Sequence, residues 1–285
     1  MMSLADKDDV PNPWEQKDHQ MELIKKRMSS IKHKIAVISG KGGVGKSLVT
    51  VNLATGLAVN DRDKRVAILD ADLTGPCVPK MMGLKGERLG AGPAGISPVT
   101  GPEGVEVVSM DFLLPDDESP VIWRGPLKMG AIRQFLSEVA WGPLDYLLVD
   151  LPPGTGDESL SILQLLPEMD GVIIVTIPSE VSQAVVKKAV TFARKMEVPV
   201  FGIIENMAGL VCPHCGETIE VFSEGGGAKV AKEMGVELLG SIPIDPKVSM
   251  DSDEGTPFIL RHPDSPAAKS FKKVIEKIEK KVKHE

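Results

Sequence analysis

Cysteine is scarce in this chain of 285 residues: Cys77, Cys212 and Cys215 are the whole complement. Three thiols do not build a disulfide framework in a chain of this length, so reduced cysteines are expected. Excess positive charge is missing too. With 33 Lys and Arg against 40 Asp and Glu, the net charge of -7 argues against a general nucleic-acid coat, which needs a broad basic surface. No apolar run approaches the roughly 20 residues that cross a bilayer, and Met1 to Asp9 is polar and acidic rather than a secretory leader. The expectation is a cytoplasmic protein that binds no nucleic acid and does not insert into membrane. Nor is there an internal repeat.

What is present is a large apolar fraction, 42% of residues, enough to bury a sizeable core. Short β-rich runs recur at Lys34–Ser39, Arg65–Leu69, Val105–Ser109, Asp145–Asp150, Gly171–Ile177, Val198–Ile204 and Glu237–Ile242. Helical stretches separate them at Lys46–Asn60, Pro126–Ala140, Glu158–Leu166, Glu180–Met196 and Gly227–Met234. Most runs are continuously apolar, as in Tyr146-Leu147-Leu148-Val149, which is the pattern of parallel strands covered on both faces. The fold class expected is α/β: a doubly wound, mostly parallel β-sheet with helices on both faces. Residues 83–104, rich in Gly and Pro and without periodicity, are expected to form a long surface excursion.

Three segments are expected: a polar tail and helix over 1–30, one α/β domain over 31–265, and a basic helix over 266–285. The last carries Phe271, Val274, Ile275, Ile278 and Val282 on one face among lysines. Such a helix either docks on its own domain or lies on an anionic membrane.

The strand Ile35-Ala36-Val37-Ile38 runs into Gly40-Lys41-Gly42-Gly43-Val44-Gly45-Lys46-Ser47 and then into a helix. This is the strand–loop–helix context of a phosphate loop. Glycines allow a tight turn that aims backbone N–H groups at the phosphates, and the helix N-terminus adds its positive end. Lys46 would neutralise the β- and γ-phosphates, and the Ser47 hydroxyl would ligate magnesium. The strand ending at Leu69 delivers Asp70-Ala71-Asp72, with both carboxylates on one side if the strand continues. A later strand ends in Asp150, followed by Pro152-Pro153-Gly154-Thr155-Gly156-Asp157. Carboxylates at the carboxyl tips of parallel strands lie beside the ligand crevice.

Cys212-Pro213-His214-Cys215 supplies two thiols two residues apart, and no second such pair exists in the chain. Two thiolates are half of a four-coordinate site. In a twofold dimer the pairs from two copies would meet on the axis and suit zinc or a 4Fe-4S cluster. A thioredoxin-like redox pair and a monomeric zinc knuckle using His214 are the alternatives.

Lys41, a second lysine near the start of the loop, makes the chain resemble the deviant Walker A group that includes MinD, ParA, the nitrogenase iron protein and the Mrp/ApbC proteins. The resemblance narrows to the Mrp/ApbC iron-sulfur cluster carriers over about residues 30–260. It rests on Gly40 to Ser47, Asp70-Ala71-Asp72-Leu73-Thr74-Gly75-Pro76, Trp123-Arg124-Gly125-Pro126, Asp150 to Asp157, Glu205-Asn206-Met207 and Val211 to Gly216. It implies a slow, switch-like ATPase that binds ATP and Mg2+ and hands a labile 4Fe-4S cluster, held at a homodimer interface by Cys212 and Cys215 of both subunits, to apo-proteins. Zinc could replace the cluster in aerobic material. In catalysis it implies that Lys41 crosses to the partner's phosphates and that Asp72 positions the attacking water. It assigns magnesium to Ser47, Asp70 and Asp150, the γ-phosphate to Gly154, and adenine to Asn206, Pro243 and Asp245. A positioning ATPase like MinD is the alternative. Two departures stand out: this chain lacks the extra N-terminal cysteine cluster of some relatives, and Cys77 replaces an expected small polar residue.

Overall fold

The computed structural model describes residues 13–113, 125–212, 215, 217–221 and 225–283. Along the chain, α1 (Pro13–Met28) leads into β1 (Ile31–Ser39), α2 (Lys46–Asn60), β2 (Val66–Asp70) and the short α3 (Val78–Met81). A small hairpin of β3 (Gly90–Gly92) and β4 (Gly95–Ser97) follows, then β5 (Val99–Thr100), β6 (Glu106–Ser109) and α4 (Gly125–Glu138). Next come β7 (Leu144–Asp150), α5 (Asp157–Leu165), β8 (Gly171–Thr176), α6 (Glu180–Lys195) and the long β9 (Val200–Val211). The described part closes with β10 (Thr218–Ile219), α7 (Gly226–Met234), β11 (Leu238–Ile244), α8 (Pro246–Glu254), α9 (Phe258–Arg261) and α10 (Pro266–Val282).

Seven strands run parallel in the spatial order β11-β9-β8-β1-β7-β2-β6, with β5 antiparallel at one edge. Period-two alternation splits the central strand between two cores. Ile35 and Val37 of β1 pack with α2, α9 and α10, whereas Ala36 and Ile38 pack with α1, α4, α5, α6 and α7. Burial on both faces explains why these strands read as unbroken apolar runs. The doubly wound parallel sheet is therefore the observed fold.

The surface excursion and the terminal helix both take definite form. The 83–104 excursion is ordered by β3 and β4, and Ala140 N–H donates to Ile96 O at 2.8 Å while Arg27 Nη2 donates to Ala94 O at 2.7 Å. Strands of three residues built largely from glycine leave no alternation to detect. The last helix docks on its own sheet: Phe271, Val274, Ile275, Ile278 and Val282 are all buried in the core shared with α2 and β11. Ser265 Oγ caps that helix by accepting from Ala268 N–H at 3.1 Å. Its apolar face is thus already covered, and among the described residues no helix is long and apolar enough to cross a membrane.

Candidate functional site

The loop between β1 and α2 wraps around the carboxyl end of the central strand. Gly45 caps α2 with φ 81, and a Cβ there would lie 2.2 Å from Asn206 Nδ2, so both conformation and space demand glycine. At Gly40 a Cβ would lie 2.3 Å from Val185 Cγ1, which presses the start of the loop onto α6. Lys46 is buried, with Nζ 2.7 Å from Asp150 Oδ2. Ser47 Oγ donates to the same carboxylate oxygen at 2.5 Å, and Thr50 Oγ1 donates to Asp150 Oδ1 at 2.8 Å. Lys41 is half-buried and forms no ion pair among the described residues, while its carbonyl accepts from Ser39 Oγ at 3.0 Å.

Asp70 and Asp150 stand side by side in register on β2 and β7. Burial, aided by the charge of Asp150, pushes the Asp70 carboxyl up to about 8, against the opposing pull of Lys46 and of a hydrogen bond from Ser109 Oγ. Two buried carboxylates and a hydroxyl, with one lysine between them, form a hard oxygen donor set short of positive charge. That set fits magnesium. β2 ends at Asp70, so the strand does not continue as a shared side for the two carboxylates would require. Asp72 is instead half-buried beyond the strand, its N–H donating to Asp70 Oδ1 at 3.2 Å and its Oδ1 accepting from Thr74 Oγ1 at 2.9 Å. Cys77 is exposed, and its Sγ donates to Gly75 O at 3.1 Å. Partial desolvation and the carboxylates Asp70 and Asp72 push its thiol up, away from the thiolate form.

Gly154 has φ 93, and its N–H donates to Ser39 O at 2.8 Å. Three residues on, Asp157 opens α5, whose Glu158 pairs with Lys128 of α4 at 2.7 Å. On the opposite side of the loop, Asn206 is buried and its Nδ2 donates to Val44 O at 3.0 Å. Its neighbour Glu205 holds the start of α7, accepting from Gly227 N–H at 2.7 Å and from Ser241 Oγ at 3.2 Å. Pro243 lies near the end of β11, and Asp245 caps α8 by accepting from Lys247 N–H at 3.0 Å.

The cysteine pair belongs to the tip of β9. That strand outruns its neighbours, and Leu210 pairs with Ile244 of β11 and with Ile219 of β10. Beyond it Cys212 N–H donates to Glu217 O at 2.8 Å, closing a β-hairpin that carries both thiols. Cys215 is exposed, with Sγ 3.9 Å from Glu217 Oε2, and Cys212 is half-buried. All three cysteines are thiols rather than disulfides. Pro213, His214 and Gly216, like Trp123 and Arg124, lie outside the described residues. The hairpin leaves the same carboxyl edge of the sheet as the phosphate loop. A cavity of about 410 Å³ lined by Phe201, Glu237 and Lys281 lies at the amino ends of the strands, away from this chemistry.

Sequence reasoning missed Thr50 and Ser109, the donors that hold Asp150 and Asp70. A hydroxyl inside the apolar run of α2 was the signal available for the first; the second depends on β6 pairing with β2, which no local pattern announces.

A model of the ParA group described as the NUBPL iron-transfer P-loop NTPase matches residues 30–279. The chain belongs to this family. An iron-sulfur cluster carrier protein of Methanocaldococcus jannaschii is 55% identical over 91% of the chain and 88% of that relative. Another of the same description, from Saccharolobus solfataricus, is 53% identical over 90% of the chain and 86% of the relative. Among solved structures, a nucleotide-binding protein in complex with ADP from Archaeoglobus fulgidus superposes with a TM-score of 0.75 at 44% identity, covering 83% of this chain and 92% of that one. The cell division ATPase MinD of Pyrococcus furiosus follows the same fold, with a TM-score of 0.63 at 26% identity over 87% of this chain and 98% of that one. As an iron-transfer P-loop NTPase, the chain shares its central sheet with MinD.

Proposed function

We propose that the protein is a cytoplasmic iron-sulfur cluster carrier that binds and slowly hydrolyses ATP, holds a 4Fe-4S cluster between two copies of itself, and passes it to apo-proteins. The observation that carries this reading is the placement of the Cys212/Cys215 hairpin and the Gly40–Ser47 loop on one edge of one sheet. Four thiolates, two from each copy, satisfy such a cluster, which is cargo rather than a resident group. The names of the relatives, and the ADP held by the Archaeoglobus protein, support the pairing of cluster with nucleotide.

Within the site, backbone N–H groups of Gly42 to Ser47 receive the phosphates and Lys46 turns from Asp150 to the β- and γ-oxygens. Lys41, with no ion pair among the described residues, would reach the phosphates of a facing copy. Ser47, Asp70 and Asp150 would hold magnesium, which neutralises phosphate charge when bound. Asp72 orients water, and Gly154 N–H exchanges Ser39 O for a γ-phosphate oxygen. Asn206, Pro243 and Asp245 border the base. The positioning-ATPase reading loses its one supporting feature with the docking of α10.

The test is anaerobic reconstitution of the parent and of Cys212→Ala/Cys215→Ala, with visible absorption, iron and sulfide counts, and sizing. One 4Fe-4S cluster per dimer, absent from the variant, is expected. Zinc alone, or no metal, would overturn the carrier reading.

A further inference from the structure

Asp150 is fully buried and receives three donors: Lys46 Nζ at 2.7 Å and Ser47 Oγ at 2.5 Å on Oδ2, and Thr50 Oγ1 at 2.8 Å on Oδ1. They are not equivalent. The proposed binding of ATP with magnesium draws Lys46 to the phosphates and Ser47 to the cation, so two of the three leave. Thr50 sits one turn into α2, is completely buried, and has Lys46 O and Asp150 Oδ1 as its hydroxyl's neighbours. We propose that Thr50 is the positioning residue that fixes the Asp150 carboxylate in both states, holding Oδ1 so that Oδ2 stays aimed at the metal.

The hydroxyl chemistry supports this assignment. Thr50 Oγ1 lies 3.1 Å from Lys46 O and 2.8 Å from Asp150 Oδ1, but a hydroxyl has one proton to donate. Lys46 O is already the acceptor of the helical N–H of residue 50, whereas a buried anion gains more from a charge-assisted donor. The proton therefore goes to Asp150. A carboxylate held by one oxygen presents the other with its rotamer settled, which is how partners behind a ligand raise metal affinity. β-Branching adds stiffness, because Thr50 has few rotamers open to it within a helix.

This inference rests on the ATP–magnesium reading above, and the experiment separates the two. Binding of a fluorescent ATP analogue is titrated with Mg2+, and separately measured in EDTA, for the parent, Thr50→Val and Thr50→Ser, with thermal melting of each. Valine replaces the hydroxyl with a methyl of similar size; serine keeps the hydroxyl. The expected result is that Thr50→Val needs about tenfold more Mg2+ for half-maximal enhancement. Thr50→Ser should stay within about twofold of the parent, and analogue binding in EDTA should be the same for all three. A Mg2+ response in Thr50→Val equal to the parent's overturns the role of Thr50. So does a loss shared by both variants in EDTA and in melting, which marks a packing role only. A parent protein whose analogue binding ignores Mg2+ overturns the underlying reading instead.

Discussion

At the scale of single residues the site is governed by a shortage of positive charge around two carboxylates. Asp70, raised from 3.8 to about 8 chiefly by burial, holds its proton more tightly in the folded protein than in the unfolded chain. Its contribution to stability is therefore complete below pH 3.8 and is lost as pH rises towards 8. Asp70→Asn, free of metal and nucleotide, should melt higher than the parent, with a gap that widens from pH 5 to pH 8 by roughly 2 °C or more; a gap independent of pH would refute this origin. Asp72 is half-buried and lies outside the strand. Asp72→Asn should slow ATP hydrolysis by about 100-fold or more while leaving affinity for ADP intact, as steady-state rates and ADP titration would show. The phosphate loop was legible residue by residue, because the chemistry of phosphate binding dictates glycines, lysine and hydroxyl in fixed order. Glu205 was not: its partner Gly227 is brought in by α7, and a strand-end carboxylate gives no sign of which helix it will hold.

Elements show the same division. α2 was readable to its bounds, since a glycine in the left-handed region starts it and an apolar run sustains it. α3 and α9 went unseen because four residues are too few to show a period, and α8 because it buries no apolar stripe, Asp251 being its buried residue. For α10 the stripe was visible and docking on its own domain was one of its two expected settings, since amphipathic patterning is the same whether the apolar face meets lipid or a sheet. Burial of Phe271 decides for the sheet. Phe271→Ala should lower unfolding free energy by about 3–5 kcal/mol, read by chemical denaturation, and the parent should not float with anionic liposomes in the presence of ATP.

For the whole molecule, continuous apolar strands announced a sheet covered on both sides, while the edges of that sheet stayed hidden. β10 and β5 are two residues long and exist only through their pairing with β9 and β6. The phosphate loop and the thiols stand on one edge, so two copies that share a cluster would also face each other across any phosphates held there. Lys41→Ala should bind nucleotide as the parent does yet fail to change size when ATP is added, as light scattering coupled to gel filtration would report. Between Asn206, tied to the phosphate loop, and the thiol-bearing tip, β9 bends: Met207 and Gly209 take φ of 58 and 81, and the stretch Asn206 to Leu210 lies opposite the shorter Ile242 to Ile244. The bend adds residues to β9 without cutting the ladder, since beyond it Leu210 still pairs with Ile244 and Ile219. The hairpin that carries the sulfurs is therefore moored to the sheet on both sides of the kink, a bracket whose angle is set by the backbone of Met207 and Gly209.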